Sequence, residues 1–369
     1  MYIKKLELNN FRILENISLD LNDNVNIIIG KNGSGKTSIL EAISTLALSK
    51  SFRTNNLSNL ILSNRNDFII KINLCNDINA DNTLKIGMKR DVESKKILRI
   101  NKKNAKTSNV AKELPFFILY SDYLINLVNN RQERLSLLNW GLFHVEHSFS
   151  GLWKQLQVVL KNRNLLLKNK ASYNQVKVWD LGFIKISEEI SEISKSYFLE
   201  LKKHFVYYMD IFFPDIYINL DYYQGWDNNT VFLDVLKKNY LIDYKLGYSS
   251  QGSHRTDLVL TYQNKNIKDI LSKGQQKMVS LALCLASLRV LKDKYNKSYI
   301  ILVDDLAAEL DDYNLDGAYK ELLKFNSQII ITSIKEDSII KFFKKTENKH
   351  IFYIKDGYLS NVPRGTIVA

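Results

Sequence analysis

The sequence predicts an α/β protein with an antiparallel N-terminal sub-sheet and an inserted helical lobe. Three observations carry that prediction. The opening YIKKLELNNFR alternates polar and apolar positions, and NVNIIIG follows as an apolar run that ends on glycine. From about Arg131 the texture changes to long helical periodicity, and toward the C-terminus strand and helix signals alternate again, in DLVLTY, YIILV and SQIIITS. The division that follows is a discontinuous head, 1–124 with 246–369, around a helical lobe at 125–245.

Alternation in the opening segment and β-branched enrichment in NVNIIIG read as strands, and a helix follows from Lys36 to about Leu48. Segments near 68–75, 83–90 and 96–101 are short and strand-like, with Asn79, Asp81 and Asn82 as turn residues, which gives the antiparallel sub-sheet. RQERLSLLNWGLFHVEH and GLWKQLQVVLKNRNLLLK carry helical spacing. In the next helix Ile186, Ile190, Ile193, Tyr197, Leu201 and Tyr208 recur at spacings of three, four and seven. That is a packing stripe, too short for an extended coiled coil. Helices are expected from about Lys273 and near 313–325.

With 369 residues, 45% of them hydrophobic and 25% charged, the chain has enough apolar surface for one large body or two or three lobes. No stretch approaches the roughly 20 apolar residues of a membrane span, and MYIKKLELNNF lacks the apolar core of a secretory signal, so a cytoplasmic protein with no membrane contact is expected. Cys75 and Cys284 lie far apart in apolar surroundings without a CxxC pattern, which points to buried free thiols. The net charge of +13 fits contact with nucleic acid or another polyanion, and it equally fits a lysine-rich coding background.

The chemistry starts at NIIIGKNGSGKTSILEAI. Gly30, four residues, then Gly35, Lys36 and Thr37 make the spacing of a phosphate-binding loop, bounded by an apolar strand and a helix. The glycines let the backbone N–H groups of Gly30, Lys31, Asn32, Gly33, Ser34, Gly35 and Ser38 turn toward phosphate oxygens. Lys36 neutralises the β and γ phosphates and the Thr37 hydroxyl can ligate Mg2+. Such a loop needs a carboxylate at the end of another buried strand, and IILVDD supplies Asp304 for the metal and Asp305 for polarising water. A third element, LSKGQQ from Leu271 to Gln276, heads the helix KMVSLALCLASLRVL; alone it is a common helix cap.

In this order the three elements resemble the ATP-binding-cassette (ABC) class of P-loop ATPase, and within it the structural-maintenance-of-chromosomes (SMC) branch, where the signature is LSxGQ. That resemblance implies an ABC/SMC-like ATPase head. It also implies that Ser272, Gly274 and Gln275 act in trans on a partner subunit's ATP, and that Glu309, Leu310 and Asp311 lie along the dimer seam. The long coiled coil and cysteine hook of some members of that branch are absent. The closer resemblance is to the bacterial RecF family, over essentially the whole chain. It is carried by LELNNFRILENISLDL, GKNGSGKTSILEAI with SKSFRT, NWGLFHVEHSFSGLW with LKNRN, QGSHRTDL, LSKGQQ and VDDLAAELDD. The resemblance implies an ATP-dependent homodimer that hydrolyses ATP weakly and binds single-stranded and double-stranded DNA and gapped junctions. It further implies that the protein helps RecO and RecR deliver the RecA recombinase. A toxin-defence ATPase with an attached nuclease and a transporter ATPase subunit are the competing readings. No acidic nuclease domain is visible for the first, and Ser333 stands where transport ATPases place a histidine, against the second.

Departures from the family pattern are Phe117, where related chains often carry glutamine, and Asn129–Asn130, where they carry a glycine pair and proline. For DNA, Lys89, Arg90, Lys95, Lys96, Arg99, Lys102, Lys103 and Lys106 form a basic tract that reads equally as a solvated hairpin face. Lys154, Lys161, Arg163 and Lys168 form a second, weaker candidate. Either would bind without reading sequence and with steep salt dependence. His144, Glu146 and His147 mimic a metal pair but lack a third ligand, so packing is the expected role, and Trp140, Trp153 and Trp179 are expected in the core.

Overall fold

The computed structural model describes residues 1–75, 83–296, 298–308, 310–334, 336–343 and 348–360. Glu309 and the turn residues Asn79, Asp81 and Asn82 lie outside the described residues. In chain order the strands are β1 (Tyr2–Phe11), β2 (Leu14–Asp20), β3 (Val25–Ile29), β4 (Asp67–Cys75), β5 (Thr83–Asp91), β6 (Lys96–Ile100), β7 (Lys103–Asn104) and β8 (Phe116–Tyr120). Then come β9 (Asn219–Tyr223), β10 (Asp257–Tyr262), β11 (Lys265–Asn266), β12 (Ile300–Asp304), β13 (Ile329–Ser333), β14 (Lys349–Lys355) and β15 (Tyr358–Leu359). The chain divides into two compact units, Met1–Ser121 with Lys297–Ala369, and Asp122–Asn296.

The first unit holds two sheets. An antiparallel sheet runs β2-β1-β4-β5-β6-β7, and a second runs β15-β14-β3-β13-β12-β8, parallel apart from the β14–β15 hairpin. Sequence pattern separates them. Residues of β1 alternate between buried and partly exposed, as a one-sided antiparallel strand should, whereas β3 and β13 are buried along their whole length, as in a parallel sheet covered on both faces. The helix Lys36–Leu48 contacts β1 and β4 of one sheet and β12 and β13 of the other. Because both faces are covered, Ile39, Leu40, Ala42, Ile43, Leu46 and Ala47 are all inaccessible to solvent, and the helix shows no clear amphipathic stripe.

The second unit is built on the helix Asp180–Phe212, whose Ile186, Ile190, Tyr197, Leu201 and Tyr208 are buried; Ile193 is only partly so. The helices Phe149–Lys168 and Lys273–Tyr295 pack along it. This unit reaches past the expected lobe of 125–245. DLVLTY (β10), expected in the head, pairs antiparallel with β9 and β11, and the helix Lys273–Tyr295 lies against Asp180–Phe212. Strand–helix alternation does not say which sheet a strand joins; here Leu260 of β10 lies opposite Leu220 of β9, and Leu258 opposite Tyr222. At the Asn129–Asn130 departure, Asn130 caps the helix Arg131–Val145 by accepting from the Gln132 N–H at 2.8 Å.

Cys75 and Cys284 are buried free thiols. His144 packs edge-on against Trp140 and Phe143, and His147 is exposed. The expectation for the tryptophans is corrected in degree: Trp140, Trp153 and Trp179 are only partly buried, and Trp226 is the fully buried one, stacked on Phe232 at 4.3 Å.

Candidate functional site

The buried strand β3 delivers the chain into Gly30, whose N–H donates to the Ser333 carbonyl at 3.2 Å and ties the loop to β13. A Cβ at Gly30 would stand 2.4 Å from the Ile354 carbonyl oxygen and 2.5 Å from Ser34 Oγ, so no larger residue passes there. Gly33 and Gly35 have φ of +80° and +109°, the left-handed region that glycine enters without strain. Gly35 precedes the helix and offers no side-chain cap, which leaves the first-turn N–H groups facing the loop for an anionic ligand. Ser34 Oγ is buried without a hydrogen-bond partner, a second polar atom awaiting a ligand.

Lys36 folds back over the loop, its Nζ donating to the carbonyls of Gly30 at 2.7 Å and Lys31 at 3.0 Å. Burial lowers its pKa, and the carboxylates of Asp305 and Asp304 oppose that shift. The Thr37 hydroxyl donates to Asp304 Oδ1 at 2.9 Å, which joins residues 267 positions apart in sequence. Strand order explains how: β13 lies between β3 and β12, and Thr332 of β13 stands opposite both Ile28 and Asp304. Its hydroxyl donates to the same Asp304 Oδ1 at 2.7 Å and accepts the Asp305 N–H at 3.0 Å. Asp305 itself has φ of +48°, a left-handed conformation for a residue with a side chain, and it lines a cleft with Asn32, Gly33, Ser34, Gly35, Lys36, Thr37 and Ser38. The cleft measures about 320 Å³.

Sequence reasoning missed two features of this site. Thr332 is one; its only signal was a threonine at the end of a buried strand. The other is Glu41, fully buried on the phosphate-loop helix, which accepts from Arg12 at 3.0 and 2.8 Å and from the Ser51 hydroxyl, with Arg53 3.6 Å away. Arg12 and Arg53 also line the cleft. The NNFR and SKSFRT segments that hold them were visible as motifs, but nothing in their spacing named Glu41.

In the first unit, Asp311 caps the helix Asp312–Leu323, accepting from the Asn314 N–H at 2.9 Å and its Nδ2 at 2.7 Å; the backbone bond holds its carboxyl below the usual range. Phe117 is buried in β8 opposite Ile301, so that position presents core, not a polar group. In the second unit, Ser272 and Gln275 form a reciprocal cap at the head of Lys273–Tyr295: Gln275 N–H donates to Ser272 Oγ at 3.3 Å, and Ser272 N–H donates to Gln275 Oε1 at 2.9 Å. Both Ser272 and Gly274 are exposed, and a Cβ at Gly274 would meet nothing within 4 Å.

The family model described as RecF/RecN/SMC N terminal domain matches residues 2–358. The "DNA replication and repair protein RecF" of Shewanella halifaxensis is 32% identical over 368 residues, which is 99% of this chain and 100% of that protein. The chain belongs to the RecF family. The protein of the same description from Shewanella frigidimarina is 33% identical over 362 residues, covering 98% of this chain and 99% of that protein. Among solved structures, the "recombination mediator protein RecF-ATP in RecFOR pathway" superposes with a TM-score of 0.81 at 22% identity, over 98% of both chains, and an SMC head bound to the C-winged helix domain of ScpA with 0.60 at 16%, over 98% and 97%. At those identities the likeness is one of fold, that of the RecF and SMC ATPase heads.

The basic residues divide sharply. Lys89 pairs with Asp67 at 2.9 Å, Lys95 with Glu93 at 2.7 Å, and Lys96 donates to the hydroxyls of Ser49 and Thr107. Lys102, Lys103 and Lys106 are exposed, as are Lys154, Lys161 and Lys168. Arg163, expected on the surface of the second candidate patch, is not available to DNA: it is 1% exposed, bonded to Asp180 at 3.0 Å, Asp243 at 2.9 Å and Ser249 Oγ at 2.7 Å. A guanidinium in the middle of a helix faces inward when two carboxylates on other elements are there to meet it. Among the described residues no group of three metal-ligating side chains occurs, and no helix is long and apolar enough to cross a membrane.

Proposed function

We propose that the protein is an ATP-dependent DNA-binding protein of recombinational gap repair and replication restart. ATP closes it into a homodimer, slow hydrolysis reopens it, and with RecO and RecR it assists RecA loading on gapped DNA. The observation that carries the nucleotide part is the Thr37–Asp304–Thr332 hydrogen-bond chain at the mouth of a glycine loop whose Ser34 hydroxyl and helix N-terminus lack partners. Support for the DNA part is family membership over nearly the whole chain.

Residues at the loop fit a nucleoside triphosphate. Backbone N–H groups from Lys31 to Ser38 cradle the phosphates, and the Lys36 ammonium, already desolvated, exchanges its carbonyl partners for phosphate oxygens. Thr37 and Asp304 would hold Mg2+, which when bound neutralises developing phosphate charge. Asp305 orients the attacking water, its backbone fixed by Thr332 so that its carboxylate enters the cleft. An aspartate is about one methylene shorter than the glutamate that cassette ATPases usually carry at this position, and small displacements of a water-positioning group are costly, so turnover is slow. Ser272, Gly274 and Gln275 present an exposed helix N-terminus to the partner subunit's ATP, and Asp311 lies at the seam.

Phosphate release in the presence of Mg2+ tests this directly. Wild-type protein hydrolyses ATP slowly, Thr37→Val and Lys36→Ala do not, and Mg2+-independent turnover that survives Thr37→Val contradicts the assignment.

A further inference from the structure

The second compact unit has a cavity of about 420 Å³ that the nucleotide chemistry leaves unused, lined by Arg131, Trp153, Gln157, Lys161, Asn164 and Arg255 among others. Three of these side chains are cations, and none of the three makes an ion pair with a described residue. Arg131 is held by the carbonyls of His254 at 3.2 Å and Thr256 at 3.1 Å; Arg255 lies over the Tyr248 ring at 5.2 Å with its Nε buried and unpartnered; Lys161 is exposed. The nearby carboxylates are engaged elsewhere. Asp257 gives both oxygens to Arg134 at 2.8 and 2.9 Å, and Asp243 gives one to Arg163 and the other to Ser250. Burial lowers the pKa of Arg131, the charges of Arg255 and Arg134 lower it further, and the Asp257 carboxylate opposes them.

Positive groups gathered at one opening, none of them ion-paired with a described residue, raise the local concentration of anions, and guanidinium groups favour phosphate. The opening also contains ring surface. Trp153 is partly exposed and lines it, backed by Phe149 at a centroid distance of 5.8 Å. Cations that contact a phosphate beside an aromatic ring on which a base stacks are the two components of sequence-independent single-strand binding. A duplex, whose bases are already stacked, has nothing to offer the ring.

We propose that this cavity receives a backbone phosphate of a single DNA strand, with the adjoining base against Trp153; the proposal rests on the DNA-binding reading above. Full-length protein is titrated with a fluorescent oligo-dT strand, and with a duplex of the same length, over a series of salt concentrations. Lys161→Gln, an exposed and unpaired position, lowers the slope of log affinity against log salt by about 0.7, the value for one phosphate contact on a single strand. Trp153→Leu weakens strand binding roughly ten-fold at unchanged slope and leaves duplex binding alone. Wild-type binding of the strand with both variants unchanged overturns the cavity while leaving DNA binding in place; no binding of any DNA by the wild type removes the parent reading and this one with it. In a separate arm dAMP is titrated calorimetrically into the Lys36→Ala protein. Heat that disappears with Lys161→Gln assigns the cavity to free nucleotide and overturns the strand; absence of heat supports it.

Discussion

Replacing Thr332 by valine removes one hydroxyl and keeps the shape, at a fully buried position on the strand between the phosphate loop and Asp304. Two hydrogen bonds go with it: the donation to Asp304 Oδ1 at 2.7 Å and the acceptance from Asp305 N–H at 3.0 Å. A bond to a charged group contributes about 1.5–3 kcal/mol and a neutral one about 1 kcal/mol, so the loss is on the order of 2–4 kcal/mol. For a body of this size each kcal/mol moves the melting temperature by roughly 2–4 °C, which puts the expected drop between about 4 and 16 °C. The substitution also frees the Asp305 backbone from the conformation at φ +48° that aims its carboxylate, so hydrolysis should fall further than stability does. Thr332→Ser keeps the hydroxyl and should restore most of both. Thermal melts and single-turnover hydrolysis of the two variants are the assays. If Thr332→Val melts within about 1 °C of wild type and turns over normally, Thr332 does not organise the two aspartates.

Asp305→Asn, which retains the backbone bond to Thr332, should bind ATP normally and prolong the ATP-bound dimer several-fold by sedimentation; Asp305→Glu should change turnover, and an unchanged rate would deny Asp305 its contact with water. Arg163→Leu leaves Asp180 and Asp243 buried without their cation and should cost about 3–5 kcal/mol, read as a lower urea midpoint, whereas Lys168→Gln on the same helix should cost almost nothing. His254 predicts an acid-side dependence. Burial lowers its pKa from 6.5 to about 4, so the unfolded chain binds the proton and the folded chain does not. Stability is therefore complete above about pH 6.5 and declines as pH falls toward 4, by about 3 kcal/mol in total. His254→Gln, whose amide can still donate to the Ser249 carbonyl, should flatten that decline relative to wild type in urea midpoints at pH 7.5 and 4.5; an equal decline in both proteins would assign it to other groups.

Much of the head was legible because its chemistry is local. Gly30 to Thr37 must be contiguous to wrap a phosphate, Asp304 must end an apolar strand, and both constraints leave marks that a single chain shows. Thr332 and Glu41 left no such mark: their roles come from which strand lies beside which and which helix face meets Arg12, facts fixed by pairing across some 30 to 270 positions. The placement of β10 failed for the same reason, since DLVLTY satisfies an antiparallel ladder as well as a parallel one. Arg163 misled because a lysine-rich helix hides its one inward cation; the structure distinguishes it by Asp180 and Asp243, which are 17 and 80 residues away. The three tryptophans, expected in the core, are only partly buried, because the sequence does not show which helix face lines a cavity, as Trp153 does.

The central claim is that ATP held by the Lys36 loop brings two copies together on DNA. Sedimentation velocity of the purified protein, with and without ATP and Mg2+, and with a gapped DNA, measures it in one experiment. The expected result is a monomer without nucleotide, a dimer with ATP that Lys36→Ala cannot form, and co-sedimentation with gapped DNA only in the ATP-bound form. A monomer indifferent to ATP and to DNA, from protein that still binds nucleotide, would contradict it.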